Sequence, residues 1–171
     1  MIFFCSQLPL DIIAIATTCD FSNKGLVVNL PIVTISDLKN SDRPGYQPLT
    51  LNFSCNDLLM TGNKTTRNIA MFLASNNLHS SDKTVLINTT SQGAKGVVFR
   101  VVQGNKTSSP IVFSSSESVQ GNATTIFNVS VRGSLAPFFA INMGTYYYIY
   151  DLNNISAAKI TSTATFVFSY D

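Results

Sequence analysis

Three cysteines and one histidine are the residues whose chemistry is easiest to test against spacing. Cys5, Cys19 and Cys55 form no C-x-x-C pair, and His79 lies alone in the polar run of residues 75–81. A zinc site would lack ligands, so neither a metal nor a cofactor is expected. What remains for the thiols is a disulfide. Cys19 with Cys55 is the expected pair, because each stands at the edge of a strand-like run, and closing a loop of that length stabilises a fold by about 4 kcal/mol in the chain-entropy model. Cys5 is then the odd thiol. His79 is also the only base available to a Ser-His-Asp arrangement, and no G-x-S-x-G elbow accompanies it. The nine carboxylates are scattered, and their separations, which would decide a glycoside-hydrolase pair, are not written in the sequence. The chain is not expected to be an enzyme.

The elements that carry these residues read as strands. No window of eleven or more residues holds a helical period, whereas alternation with period two recurs. Leu26, Val28 and Leu30 face one way before Pro31, and Leu49, Leu51 and Phe53 alternate with Thr50, Asn52 and Ser54 before Cys55. Ile69, Met71 and Leu73 form another set, with Phe72 opposite. Residues 97–102 are apolar except for Arg100, as a buried central strand would be. Residues 111–113, 126–131, 146–150 and 166–170 are further candidates. Residues 36–47 and 114–125 are polar and rich in turn formers, and are expected to be loops. Short strands separated by Gly, Asn, Ser and Pro clusters predict a sandwich rather than a parallel sheet with crossover helices.

Composition agrees with an exported β-protein. Hydrophobic residues make up 45% of the 171 and charged residues 12%, so solubility rests on Ser, Thr and Asn. The 11 basic and 9 acidic residues form no runs, which excludes an electrostatic footprint for nucleic acid or an anionic membrane. Length suits one domain with a sizeable core. The first sixteen residues are apolar, but no Lys or Arg precedes them and Pro9 and Asp11 interrupt them, so they match a targeting signal poorly and are too short to span a bilayer. Seven N-x-[ST] sequons, among them Asn63, Asn88 and Asn154, are what a secreted glycoprotein would carry, and also what a composition rich in these residues yields.

Five segments taken together resemble a known family. Cys19-Asp20-Phe21-Ser22 followed by Val28-Asn29-Leu30-Pro31 looks like the opening of the pilin domain of chaperone–usher fimbrial subunits, closest to tip adhesins of the type 1 fimbrial kind. Residues 48–55, ending Asn52-Phe53-Ser54-Cys55, residues 94–99 and residues 164–170 agree in the same order. The resemblance covers residues 19–171 and implies an all-β, incomplete immunoglobulin-like sandwich, the pilin fold, lacking its final strand. Residues 1–18 would be an amino-terminal segment, either the remnant and linker of an adhesin domain or a donor strand. For the donor reading, Leu8, Leu10 and Ile12 have the required alternation; against it, family donor strands usually carry a glycine near the position of Ile12. Residues 11–15 resemble the end of an adhesin domain, and on that reading the chain accepts a strand and offers none.

Chaperone–pilin complexes are an established case of β-strand addition, and the resemblance implies that mode here. The terminal strand puts Phe166, Phe168 and Tyr170 on one face, with Val167 and Ser169 on the other, and Asp171 follows. With nothing after Asp171, its outer edge is expected to be unpaired within the chain, an aggregation hazard unless capped. Phe166, Phe168, Tyr170 and Asp171 are therefore the expected contacts with a periplasmic fimbrial chaperone and then with a neighbouring subunit. An outer-membrane usher, passage through the periplasm to a cell-surface fimbrium, and a host glycan bound through a missing domain complete what the resemblance implies. For residues 146–150, strand packing is favoured over a sugar-binding platform. An ordinary minor pilin that both donates and accepts a strand, or a secreted glycoprotein binding domain, are the competing functions.

Overall fold

A computed structural model describes residues 6–12, 19–22, 25–55, 60–62 and 64–170. Two sheets face each other across one main core. The first is antiparallel and runs β2 (Cys19–Phe21), β4 (Gln47–Cys55), β10 (Phe138–Ile149), β8 (Val97–Gln103) in that order. In the second, β1 (Ser6–Ile12) lies between β3 (Leu26–Leu30) and the carboxy-terminal line of chain, followed by β7 (Ile69–Ala74) and β9 (Phe127–Val129). That carboxy-terminal line is β11 (Ile160–Thr161) and β12 (Ala164–Tyr170), interrupted at Ser162 and Thr163. A small hairpin, β5 (Met60–Thr61) with β6 (Lys64–Thr65), belongs to neither sheet and is bonded through Thr65 to Arg132 and Gly133.

Period-two patterning is why these runs are strands. In β4, Leu51, Phe53 and Cys55 are buried while Thr50 and Asn52 are exposed. In β7 every residue except Ala70 is buried, because both faces of this inner strand are covered. Phe21, Leu51, Phe53, Leu73, Phe99, Met143, Tyr147 and Phe166 belong to one contiguous core cluster.

Residues 36–47 are not simply a loop. Thr34 caps a one-and-a-half-turn helix, α1 (Ile35–Asn40): its hydroxyl accepts from the Asp37 N–H at 3.1 Å while the Asp37 carboxylate accepts from the Thr34 N–H at 2.9 Å. This reciprocal capping box satisfies donors that a helix start otherwise leaves unpaired, and Leu38 is buried on the core side. The chain then turns at Gly45, whose φ of +63° needs no Cβ, against the Tyr147 ring. Tyr147 donates its hydroxyl to the Pro31 carbonyl at 3.1 Å and thereby fixes the helix-bearing connection to β10.

Two other expectations change. The run at 97–102 is β8, which ends its sheet rather than standing at its centre. Its apolar character is explained by cover from irregular chain: Leu86 and Phe99 exchange backbone bonds of 3.0 and 3.1 Å, and the Ile111 N–H donates to Val101. Residues 111–113 supply Ile111 and Phe113 to the core without forming a ladder strand. The polar stretch 114–125 folds back so that Ala123 packs with Phe72, Ala74 and Val167 on the outer face of the second sheet.

Candidate strand-accepting groove

The two walls of the groove are β3 and the β11–β12 line. Val28 and Leu30 of β3 are buried between the sheets, as are Ile160, Ala164 and Phe166 on the opposite wall. Phenylalanine rings form much of the floor. Phe53 lies 5.2 Å from Phe21 and from Phe139, 5.5 Å from Phe168 and 6.3 Å from Phe166, the last two edge-on. Edge-to-face and offset pairs at such spacings contribute about 0.5–1.5 kcal/mol each beyond area burial.

The walls are held by covalent and polar ties near one end. Cys19 and Cys55 are bonded at 1.98 Å across directly opposed positions of β2 and β4, the pair expected from the sequence. Because β2 leads into β3, this bond anchors one wall to the first sheet. The Cys19 N–H also donates to the Tyr170 hydroxyl at 3.2 Å, which ties the start of β2 to the last strand, β12. Phe166, Phe168 and Tyr170 do share a face: Phe166 is fully buried, and Phe168 and Tyr170 are half-buried against the core. Asp171 and Cys5 lie outside the described residues.

The space between the walls is filled by the chain itself, which corrects the expectation that nothing in the chain pairs with the outer edge of the terminal strand. β1 runs parallel to β12, with Leu10 opposite Ala164 and Ile12 opposite Phe166, and continues in the same register to Ser6 opposite Ile160. On its other side it is antiparallel to β3, with Leu8 opposite Val28 and Leu10 opposite Leu26. The expectation looked only downstream of Asp171. A parallel neighbour cannot come through a tight turn, and here the whole body of the domain serves as the connection. Among the described residues, β3 has no ladder partner other than β1. Lifting β1 out would leave two facing strand edges with a strip of apolar floor between them.

Other candidate sites resolve into structure. Tyr146 and Tyr147 are buried, Tyr147 stacks on Phe99 at 5.8 Å, and the guanidinium groups of Arg43 and Arg100 lie over Tyr146 and Tyr148 at 4.9 and 3.5 Å. Residues 146–150 are therefore a packed strand and its end, not an open aromatic platform. Arg100 also pairs with Asp82 at 2.7 Å. Burial works against the Asp82 carboxylate, but bonds from Thr84 and Arg100 outweigh it and hold its pKa below the ordinary value. His79 lies beside Ser81 and Tyr150, and among the described residues no carboxylate is bonded to its ring. Among the described residues no cluster of His, Cys, Asp and Glu could hold a metal ion, and no helix is long and apolar enough to cross a membrane.

The Asn88 sequon is occupied by its own fold. Its amide nitrogen donates to the carbonyls of Ala94 (3.1 Å) and Lys159 (3.3 Å), and its oxygen accepts from the N–H groups of Thr90 (2.9 Å) and Thr161 (3.0 Å). A glycan on that nitrogen would compete with bonds that clamp the start of the β11–β12 line. Asn63 lies outside the described residues.

A two-sheet immunoglobulin-like sandwich whose terminal strand is partnered by a segment preceding the first disulfide cysteine defines a pilin-type domain. The chain belongs to the fimbrial protein family, whose profile, described as "Fimbrial protein", matches residues 7–171. It is a fimbrial protein, and proteins of that family are components of surface pili. Its fold is similar to that of the P pilus rod subunit PapA, with a TM-score of 0.60 and 10% identity over 91% of this chain and 100% of that one. A subunit in a chaperone–usher pilus structure that addresses rod uncoiling gives 0.59 and 12%, over 90% of this chain and 87% of that chain. The CupB6 tip adhesin from Pseudomonas aeruginosa gives 0.50 and 19%, over 77% of this chain and 32% of that one. Curated proteins give no sequence match.

Proposed function

We propose that this subunit assembles by strand exchange through the groove between β3 and β12, first with the strand of a periplasmic chaperone and then with an extension from a neighbouring subunit. The observation that carries the reading is the position of β1: the second sheet is one strand short without it, and β1 arrives from outside the disulfide-bonded body. A strand added there makes ladder bonds to both walls, each worth about 0.5–1.5 kcal/mol net. Each apolar side chain it buries on the phenylalanine floor adds about 1.5–3 kcal/mol, so burial outweighs the ladder.

The same position supports reading Ser6–Ile12 as a donor-type strand rather than the remnant of an adhesin domain. Leu8, Leu10 and Ile12 stand at alternate rungs, two of them opposite the core residues Val28 and Phe166. Within the groove the segment is a weak occupant, since a parallel ladder is slightly less stable per residue and Pro9 has no N–H to give to either neighbour. On this reading the chain both offers and accepts a strand, as an ordinary pilin does, and the usher and the passage to the cell surface follow from that mode of assembly.

The test is to express the full chain carrying Leu10→Asp and Ile12→Asp, alone and with a fimbrial chaperone. Loss of soluble protein when alone and recovery as a one-to-one complex with the chaperone is the expected result. A variant that stays soluble, monomeric and as stable as the native chain without the chaperone would sink the reading.

A further inference from the structure

The groove contains one polar group that its present occupant does not serve. At the interruption between β11 and β12, burial alternates along Ile160, Ser162 and Ala164, with Thr161 and Thr163 half-buried between them. Ser162 therefore shares the inward side with Ile160 and Ala164, both members of the main core cluster. It is 0% exposed, and its hydroxyl has no hydrogen-bond partner.

The neighbouring polar groups make this a local exception. Thr161 accepts at its carbonyl from the Thr89 N–H (2.8 Å), and its hydroxyl meets that of Thr90 at 2.6 Å. Thr163 accepts at its carbonyl from the Ser75 hydroxyl (2.6 Å) and at its own hydroxyl from the Asn77 amide (2.8 Å). The chain is thus pinned on the side away from β1, while the hydroxyl between these bonds points inward unserved. Buried polar groups in native proteins nearly always have a partner, and a buried hydroxyl without one is destabilising. By continuity of register, the β1 residue at this rung is Leu8, since Gln7 is opposite Thr161 and Leu10 opposite Ala164. A leucine side chain has no hydrogen-bonding group.

We infer that Ser162 is a specificity determinant of the groove, and that the donor strand it fits is an extended segment with an inward-facing hydroxyl-bearing residue, Ser or Thr, at the Ser162 rung among otherwise apolar inward positions. The inference rests on the strand-accepting reading above and adds which donor is preferred. A hydroxyl there can both give and take a bond with Ser162, so a matched donor binds more tightly than one with an aliphatic residue, and it displaces Leu8 with its rung.

The probe is a fluorescently labelled peptide alternating Val with Lys, together with a series in which each Val in turn becomes Ser. Each peptide is added to the native full chain and to the full-chain Ser162→Ala variant during refolding from urea, and binding is read by polarisation. Exactly one Ser-substituted peptide is expected to bind the native chain more tightly than the all-Val peptide and about tenfold more tightly than its Ser-substituted siblings, the ratio that about 1.4 kcal/mol gives. That advantage is expected to vanish in Ser162→Ala. A uniform weakening by every Ser substitution, or a preference that persists in Ser162→Ala, overturns the inference, as it would if a buried water served the hydroxyl. Absence of binding by every peptide, the all-Val one included, overturns the strand-accepting reading itself and this inference with it.

Discussion

Replacing Phe166 tests whether the groove floor and the domain core are the same object. The residue is 1% exposed, it stands opposite Ile12 in one ladder and Leu73 in the other, and its ring lies 6.0 Å from Phe21 and 6.3 Å from Phe53. Phe166→Ala removes the ring from a closed core and is expected to cost about 3–5 kcal/mol. Phe166→Leu keeps apolar volume and forfeits the two ring pairs, about 1–3 kcal/mol in total. Against a stability of about 5–15 kcal/mol for a domain, the first change removes a large fraction. Urea unfolding of the oxidised chain supplies the measurement, followed by circular dichroism and by tyrosine fluorescence, which no tryptophan obscures. Phe138→Ala is the control, since Phe138 is 77% exposed and such changes stay within about 0.5 kcal/mol. A loss below about 1 kcal/mol for Phe166→Ala, or one equal to the control, would refute the argument that this side chain joins the two sheets beneath β1.

Reducing Cys19–Cys55, which are 36 residues apart, should lower stability by about 4 kcal/mol, read as a shift of the urea midpoint with and without reductant. Asn88→Ala should cost about 1–3 kcal/mol, because it orphans carbonyls and N–H groups at the start of the β11–β12 line; hydrogen exchange at Thr161 should rise more than at β8. Asp82, whose pKa is depressed in the folded chain, contributes stability that is present above about pH 4 and lost as pH falls through its folded value. The advantage of the native chain over Asp82→Asn in thermal unfolding should therefore shrink below that pH and be flat from pH 5 to 7. Gly96→Ala should be destabilising by about 2 kcal/mol or more, since its φ is +69° and an added Cβ would meet the carbonyls of Asp151 and Asn154.

What the sequence disclosed were the features written in local order. The alternation of Leu26, Val28 and Leu30, and of Leu51 and Phe53, survives in the buried faces of β3 and β4 because period two is a property of each strand alone. The disulfide was legible because its two cysteines flank strands that pair directly. The helix at Ile35–Asn40 was missed although Thr34 and Asp37 have capping-box spacing, since six residues are too few for a periodic signal. The partner of β12 was missed for a different reason: pairing between residues 6–12 and 160–166 leaves no trace in either segment, whose sequences are equally compatible with other neighbours. Ser162 and Asn88 belong to the same class, since a serine or asparagine in a polar run looks the same whether its hydrogen bonds are all made or all missing.

The arrangement of β1 also has a mechanical meaning. It is flanked along its length by ladders on both sides, five rungs to β3 and five to the β11–β12 line. Tension along the strand axis would load all of these rungs together in shear, whereas a sideways pull would peel them one after another. A strand held in this slot is thus suited to resist traction along its own direction while remaining removable by a competitor that invades from one end.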